Sequence, residues 1–232
     1  MVAIATDIAT KKKEIQMKNG LFITFEGGDA CGKSTQVKLF KEYVVTRKDK
    51  DDFVFVREPG GTGLGEKIRE LLLSYEEDSP VPKAELLLFL ASRAQLFEKV
   101  ISPAISEGKI VVADRFYDST IAYQGFAREI FDAEEILKLN KLILGKFKPN
   151  LTFYLKIKPE IAFKRKNSGE NLDRMEKEAL AFHQKVYEGY QFISKKEKER
   201  FVVLDATKSI EELHNEIVAS VENLIKNSTK KV

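Results

Sequence analysis

Leu21-Phe22-Ile23-Thr24-Phe25-Glu26 runs directly into Gly27-Gly28-Asp29-Ala30-Cys31-Gly32-Lys33-Ser34, and the chain resumes as Gln36-Val37-Lys38-Leu39-Phe40. Residues 27–34 fit the spacing G-x-x-x-x-G-K-[ST]. The setting matters as much as the spacing: an apolar strand leads in and a helical segment leads out. The glycines let the backbone turn tightly, so that its N–H groups converge on phosphate oxygens. The N-terminus of the following helix adds a favourable dipole. Lys33 is then placed to reach β- and γ-phosphates and Ser34 to ligate Mg²⁺. The candidate ATP cradle is Gly27, Gly28, Asp29, Ala30, Cys31, Gly32, Lys33, Ser34 and Thr35.

Outward from this loop, short apolar runs alternate with longer amphipathic ones. Strands are predicted at residues 21–26, 53–57, 110–113, 151–157 and 201–205. Helices are predicted at 33–47, 64–73, 83–98, 101–107, 119–126, 133–144, 160–166, 172–197 and 209–226. Alternating β and α implies a five-stranded parallel sheet flanked by helices, an α/β architecture in three layers. Ligands in such folds bind beyond the carboxyl ends of the strands.

The composition agrees. With 232 residues, 43% of them hydrophobic, the chain can bury one substantial core. We expect a flexible N-terminal extension over residues 1–18 and a single domain over 19–228. A net charge of +3 suits small anionic ligands and is too weak to argue for duplex nucleic acid. The single cysteine, Cys31, rules out an internal disulfide framework and a Cys-rich zinc site. No run of 18 apolar residues is present, and a cytoplasmic location is expected.

Most polar motifs follow a strand. Asp114, after Val111-Val112-Ala113, occupies the place of a metal-holding acid; capping the next helix is its alternative role. Arg115 can grip a phosphoryl group with two prongs, as can Arg57 ahead of the tight turn Pro59-Gly60-Gly61. Phe89, Ser92 and Arg93 share one helix face, able to stack a base and donate to a carbonyl. From spacing alone, with Leu86, Leu87, Leu90 and Leu96 alongside, a core or oligomer face is the better reading of that helix. Asp118, Ser119, Tyr123 and Gln124 follow the Asp114-Arg115 pair and could line a nucleoside pocket. The polar segment 164–174 has the composition of a mobile lid, with Arg165, Lys166 and Arg174 as candidate cations. His183 and His214 read as surface or partly buried side chains on amphipathic helices.

Together these motifs resemble the thymidylate kinase family over nearly all of residues 20–226. The resemblance rests on Phe25-Glu26-Gly27-Gly28-Asp29 with the P-loop, Arg57-Glu58-Pro59-Gly60-Gly61-Thr62, Leu88-Phe89-Leu90-Ala91-Ser92-Arg93-Ala94-Gln95, Asp114-Arg115-Phe116-Tyr117-Asp118-Ser119 with Ala122-Tyr123-Gln124-Gly125, and Leu172-Asp173-Arg174. It implies a P-loop kinase fold with a short lid, ATP and dTMP as substrates, Mg²⁺ as cofactor, and a homodimer through helices in 83–107.

The resemblance also assigns roles. Arg57 and Arg115 hold the dTMP phosphate, with Glu58 in the same substrate-binding motif. Asp29 binds the deoxyribose 3′-hydroxyl or orients Arg57. Phe89 stacks on thymine, Arg93 bonds its carbonyl, and Ser119, Thr120 and Gln124 line the base pocket. Tyr123 crowds the 2′ position. Ala30 stands where some relatives carry arginine, which shifts the catalytic cation to the lid, Arg165 first and then Lys166 and Arg174. Two rival readings are a nucleoside kinase and a nucleotide switch. The guanine-reading pattern N-K-x-D fails at Asn140-Lys141-Leu142-Ile143, which lacks the acid.

Overall fold

The computed structural model describes residues 20–74, 79–165 and 173–229. The expected extension 1–18 lies outside these residues, as do Lys166 and the centre of the expected lid.

The described residues form one parallel sheet of strands β1 (Leu21–Glu26), β2 (Phe53–Arg57), β3 (Ile110–Asp114), β4 (Leu151–Lys156) and β5 (Phe201–Asp205), in the order β2-β3-β1-β4-β5. The period-two alternation of β1 sends Leu21, Ile23 and Phe25 to one side and Phe22 to the other. On the first side they pack with α1 (Lys33–Val45) and α9 (Ile210–Thr229) through Phe40, Val44, Leu213 and Ile217. Phe22 faces α3 (Pro82–Leu96), α4 (Ser102–Ser106) and α8 (Leu180–Lys196) through Leu96, Ile105, Val186 and Tyr190. Both faces are covered, so the inner strands are apolar almost throughout.

The remaining helices are α2 (Gly63–Leu73), α5 (Tyr117–Thr120), α6 (Ala133–Leu144) and α7 (Pro159–Arg165). Asp132 caps α6 reciprocally with Glu135, which accounts for the sharp start of that helix.

Three helix expectations are corrected. The run expected over 83–98 and 101–107 is continuous, joined by a π turn at Phe97–Ile101. That turn lies just before Pro103, which lacks an N–H and cannot keep the regular ladder. The helix expected at 119–126 begins at Tyr117 and widens into a π turn at Ile121–Ala127, which buries five consecutive residues, Ile121 to Gly125. The helix expected over 172–197 starts only at Leu180; residues 174–177 form turns. Gly189 lets α8 approach the second π turn, because a Cβ there would lie 2.7 Å from the Ala122 Cα.

Candidate active site

Parallel register aligns the strand ends. Phe25 of β1 pairs with Asp114 of β3, and Asp114 with Arg57 of β2, so the loops after all three strands open on one edge. There they line a cavity of about 710 Å³, within the size range of small-molecule sites.

The phosphate loop forms one wall. Gly27 has φ 154°, and a Cβ there would lie 2.8 Å from Cys31 Sγ and 2.9 Å from the Leu155 carbonyl oxygen. Only glycine fits. Gly32 caps α1 in the left-handed region, and Ala30 sits there too, at φ 58°. Cys31 is buried, and burial pushes its thiol up despite Lys33 and Arg115 nearby, so it is an inert filler. Lys33 donates to Asp114. Asp114 does not cap α5, whose start carries no side-chain cap. Burial is the largest influence on the Asp114 carboxyl and raises it, but the Lys33 charge and hydrogen bond, with the Arg115 and Arg69 charges, together hold the group below its ordinary range.

Arg115 joins this wall to the next. It has φ 69°, a conformation costly for a side-chain-bearing residue. Its Nη1 donates to the Gly27 carbonyl at 2.8 Å, Tyr190 Oη at 3.0 Å and Ser119 Oγ at 3.2 Å. Its Nη2 donates to Asp29 at 3.1 Å and Tyr123 Oη at 3.3 Å. Asp29 therefore orients Arg115, Tyr123 and His183, not Arg57 as one expectation had it; Tyr123 Oη donates to it at 2.9 Å and His183 Nδ1 lies 3.5 Å away. His183 is buried, against the expectation of a surface or partly buried side chain; His214 is half-buried, in keeping with that expectation.

Behind Arg115 lies Glu26, fully buried. It accepts from Phe116 N at 2.7 Å, Ser119 Oγ at 2.6 Å and Tyr190 Oη at 2.9 Å. Burial and then the Asp118 charge push its carboxyl up to about 7, against Ser119, Arg115 and Tyr190, which pull it down. A carboxyl raised on folding binds its proton more tightly in the native state. Its stabilising contribution is therefore full below pH 4.5 and lost as pH rises through about 7. That window is worth up to about 3 kcal/mol. Urea unfolding at a series of pH values is expected to show a flatter slope across this window in Glu26→Gln, whose amide mimics the neutral acid. An unchanged slope would count against the raised carboxyl.

The opposite wall carries Phe89, half-buried on the cavity, and Arg93, fully buried. Arg93 donates Nε and Nη2 to Glu58 at 2.8 and 2.5 Å, and Nη1 to Thr120 at 2.9 Å and Asn140 at 2.8 Å. Four of its five N–H groups are thus held within the protein, and one on Nη2 remains for a ligand. Glu58 and Thr120 act here by fixing Arg93. The other Glu58 oxygen, Oε1, is buried with no hydrogen-bond partner among the described residues, and burial raises this carboxyl despite Arg93. Ser92 accepts from Gly60 N at 3.2 Å, tying the same helix to the turn after β2.

Arg57 is half-exposed and pairs with Glu66 at 2.6 Å. Beside it is Arg69, a cavity-lining side chain that the sequence motifs do not single out; it donates to the Pro59 carbonyl at 3.1 Å. Burial and then the Arg57 charge lower its pKa. Asn140 is likewise not among the expected site residues. It sits among Ile136 and Leu144 on the buried stripe of α6, so a polar side chain on an apolar stripe was the available signal.

Of the lid cations, Arg165 lines the cavity and donates to the Ala206 carbonyl at 2.7 Å. Arg174 points elsewhere, to Glu85 and to the Leu72 carbonyl at 3.0 Å.

Many proteins place a phosphate loop at a sheet edge. Here the loop faces a second compartment lined by arginines and an aromatic ring, with Arg115 bonded into both, and that pairing defines a P-loop kinase. The thymidylate kinase family model matches residues 25–217, and the chain belongs to that family. It is 47% identical over 198 residues to the thymidylate kinase of Fervidobacterium nodosum, covering 85% of this chain and 96% of the relative. Against that of Kosmotoga olearia it is 43% identical over 198 residues, covering 85% and 93%. The crystal structure of thymidylate kinase from Ehrlichia chaffeensis superposes with a TM-score of 0.71 at 34% identity, covering 88% of this chain and 99% of that one. Among the described residues, no helix is long and apolar enough to cross a membrane.

Proposed function

We propose that the protein transfers the γ-phosphoryl group of ATP directly to dTMP, giving ADP and dTDP. A dTMP phosphate oxygen forms the new bond to γ-phosphorus as the bond to the β,γ-bridging oxygen breaks. The observation that carries this reading is Arg115, bonded at once to the phosphate loop at Gly27 and to Ser119 and Tyr123 of the second compartment. One guanidinium at that junction can address both nucleotides.

The acceptor is already anionic, so the main barrier is bringing two polyanions together. Lys33 sits where donor phosphates bind, Arg115 at the junction, and Arg57 and Arg69 flank the acceptor side. Fixed charges of this kind need no reorganisation at the moment of transfer. Arg165 lines the cavity and is the lid cation we favour; Lys166 remains a second candidate. No histidine base is required, because the nucleophile carries no proton to be removed.

The donor set fits magnesium. Asp114 and Ser34 put a carboxylate and a hydroxyl on the cavity wall, the hard oxygen donors that would hold a small divalent cation beside the phosphates. When bound there, it neutralises charge on the β- and γ-phosphates. Phe89 and the free N–H of Arg93 would take the thymine face and a ring carbonyl, and Tyr123 would crowd a 2′-hydroxyl. The same reading includes a homodimer through helices in 83–107, where Leu87 is 63% exposed.

Assays with ATP and Mg²⁺ against thymidine, dTMP, dUMP and AMP test the proposal. Turnover is expected with dTMP and not with thymidine. The reading is overturned if thymidine is accepted and dTMP is not, or if phosphate release is independent of any acceptor.

A further inference from the structure

Glu85 is a fully buried acid with no part in the chemistry above. It lies in the first turn of α3, one helix turn before Phe89 and two before Arg93. Its Oε1 accepts from Gln124 Nε2 at 2.8 Å and from Arg128 Nε at 3.3 Å. Its Oε2 accepts from Arg128 Nη2 at 3.3 Å and from Arg174. Both arginines are anchored in turn. Arg174 donates to the backbone carbonyls of Leu72 and Leu73 at 3.0 and 3.3 Å, and Arg128 pairs with Glu178 at 2.6 Å.

Two guanidinium groups already suffice to pair one buried carboxylate. The third donor, Gln124, is the informative one, because Gln124 also lines the cavity. A glutamine amide can be seated in two ways that exchange its carbonyl and its NH₂ with almost no change of shape. A carboxylate held between two arginines only accepts, so the NH₂ must face Glu85. The Gln124 carbonyl is then turned towards the cavity. Thymine presents an N3–H donor between two carbonyls and meets that acceptor with a hydrogen bond. Cytosine presents a bare N3 acceptor at the same place and meets it with repulsion.

Resting on the reading that the second compartment takes dTMP, we propose that Glu85 is a specificity-determining positioning residue. It sets the donor–acceptor polarity of Gln124, and so selects a base edge with a donor at N3. Through Arg174 the same carboxylate is tied to Leu72 and Leu73 at the end of α2.

The test is kcat/KM for dTMP and dCMP in the wild type, Glu85→Gln, Gln124→Met and the double variant. Glutamine at 85 can offer either a carbonyl or an N–H, which frees Gln124 to turn over. Glu85→Gln is expected to lower the dTMP:dCMP ratio by about tenfold or more. In the Gln124→Met background the same substitution is expected to change the ratio little, because the amide it acts through is gone. If both substrates slow equally and the ratio stays at its wild-type value, Glu85 only holds the fold and the proposal is wrong. Full additivity of the two substitutions on the ratio also overturns it. A wild-type enzyme with no preference for dTMP over dCMP overturns the dTMP reading itself, which is a separate result. Where Glu85→Gln does not fold, Glu85→Asp keeps the charge but withdraws it by one methylene. A severalfold drop in the ratio is expected there, and an unchanged ratio refutes the proposal.

Discussion

Replacing Arg115 by alanine is expected to lower kcat for dTMP by about 10³–10⁵-fold, the range over which a single arginine acts in comparable phosphoryl transfers. Geometry sets this apart from the loss of an ordinary surface cation. The guanidinium is fixed on one nitrogen by Gly27, Tyr190 and Ser119 and on the other by Asp29 and Tyr123. The left-handed backbone at Arg115 aims the side chain, and the Arg115 N–H bond to the Phe25 carbonyl at 3.0 Å holds it there. Arg115→Lys keeps the charge but loses the fork, and is expected to recover only a small part of the rate. Near-normal turnover by Arg115→Ala, with ATP, Mg²⁺ and dTMP saturating, would remove Arg115 from the proposed chemistry.

What the sequence made legible follows the length scale of the interactions. Period-two and 3.6-residue patterns are local, so all five strands and the start of α1 were readable from residues such as Phe22, Ile23 and Phe40 alone. The π turn at Ile121–Ala127 was not, because five buried residues in succession match neither period; only packing against α8, through the gap at Gly189, accounts for them. Motif residues at strand ends were readable because chain connectivity places them, and Lys33, Asp114 and Arg115 do converge. Partnerships between motifs were not. Asp29 meets Arg115 and His183 rather than Arg57, and that choice depends on how α8 crosses the sheet. Asn140 belongs to a segment that begins like a guanine-reading pattern but lacks its acid. Its actual place is against Arg93, 47 residues away in sequence, a contact no spacing rule reveals.

Lys33→Met carries the other large effect, an expected loss of about 10³-fold or more in kcat. In the structure Lys33 is buried and paired with Asp114, so the charge proposed to bind phosphate and the charge proposed to hold the cation neutralise each other. On the proposed reading, a bound triphosphate would part them, its oxygens taking the ammonium and leaving the carboxylate for the cation. The pair thus serves two ends: it makes burial of either charge tolerable, and it keeps both within reach of the incoming nucleotide. Removing the ammonium breaks both functions. It also leaves a second trace, because burial then acts on the Asp114 carboxyl against the Arg115 and Arg69 charges alone, without the Lys33 charge and hydrogen bond that help hold it below its ordinary 3.8. A depressed carboxyl contributes stability above its unfolded pKa that is lost as pH falls through the folded one. Lys33→Met is therefore expected to lose that contribution at neutral pH and to show less further loss on acidification below pH 4. If the variant instead keeps the wild-type acid-unfolding profile and turns over dTMP within about tenfold of wild type, then Lys33 neither restrains Asp114 nor meets the transferred group.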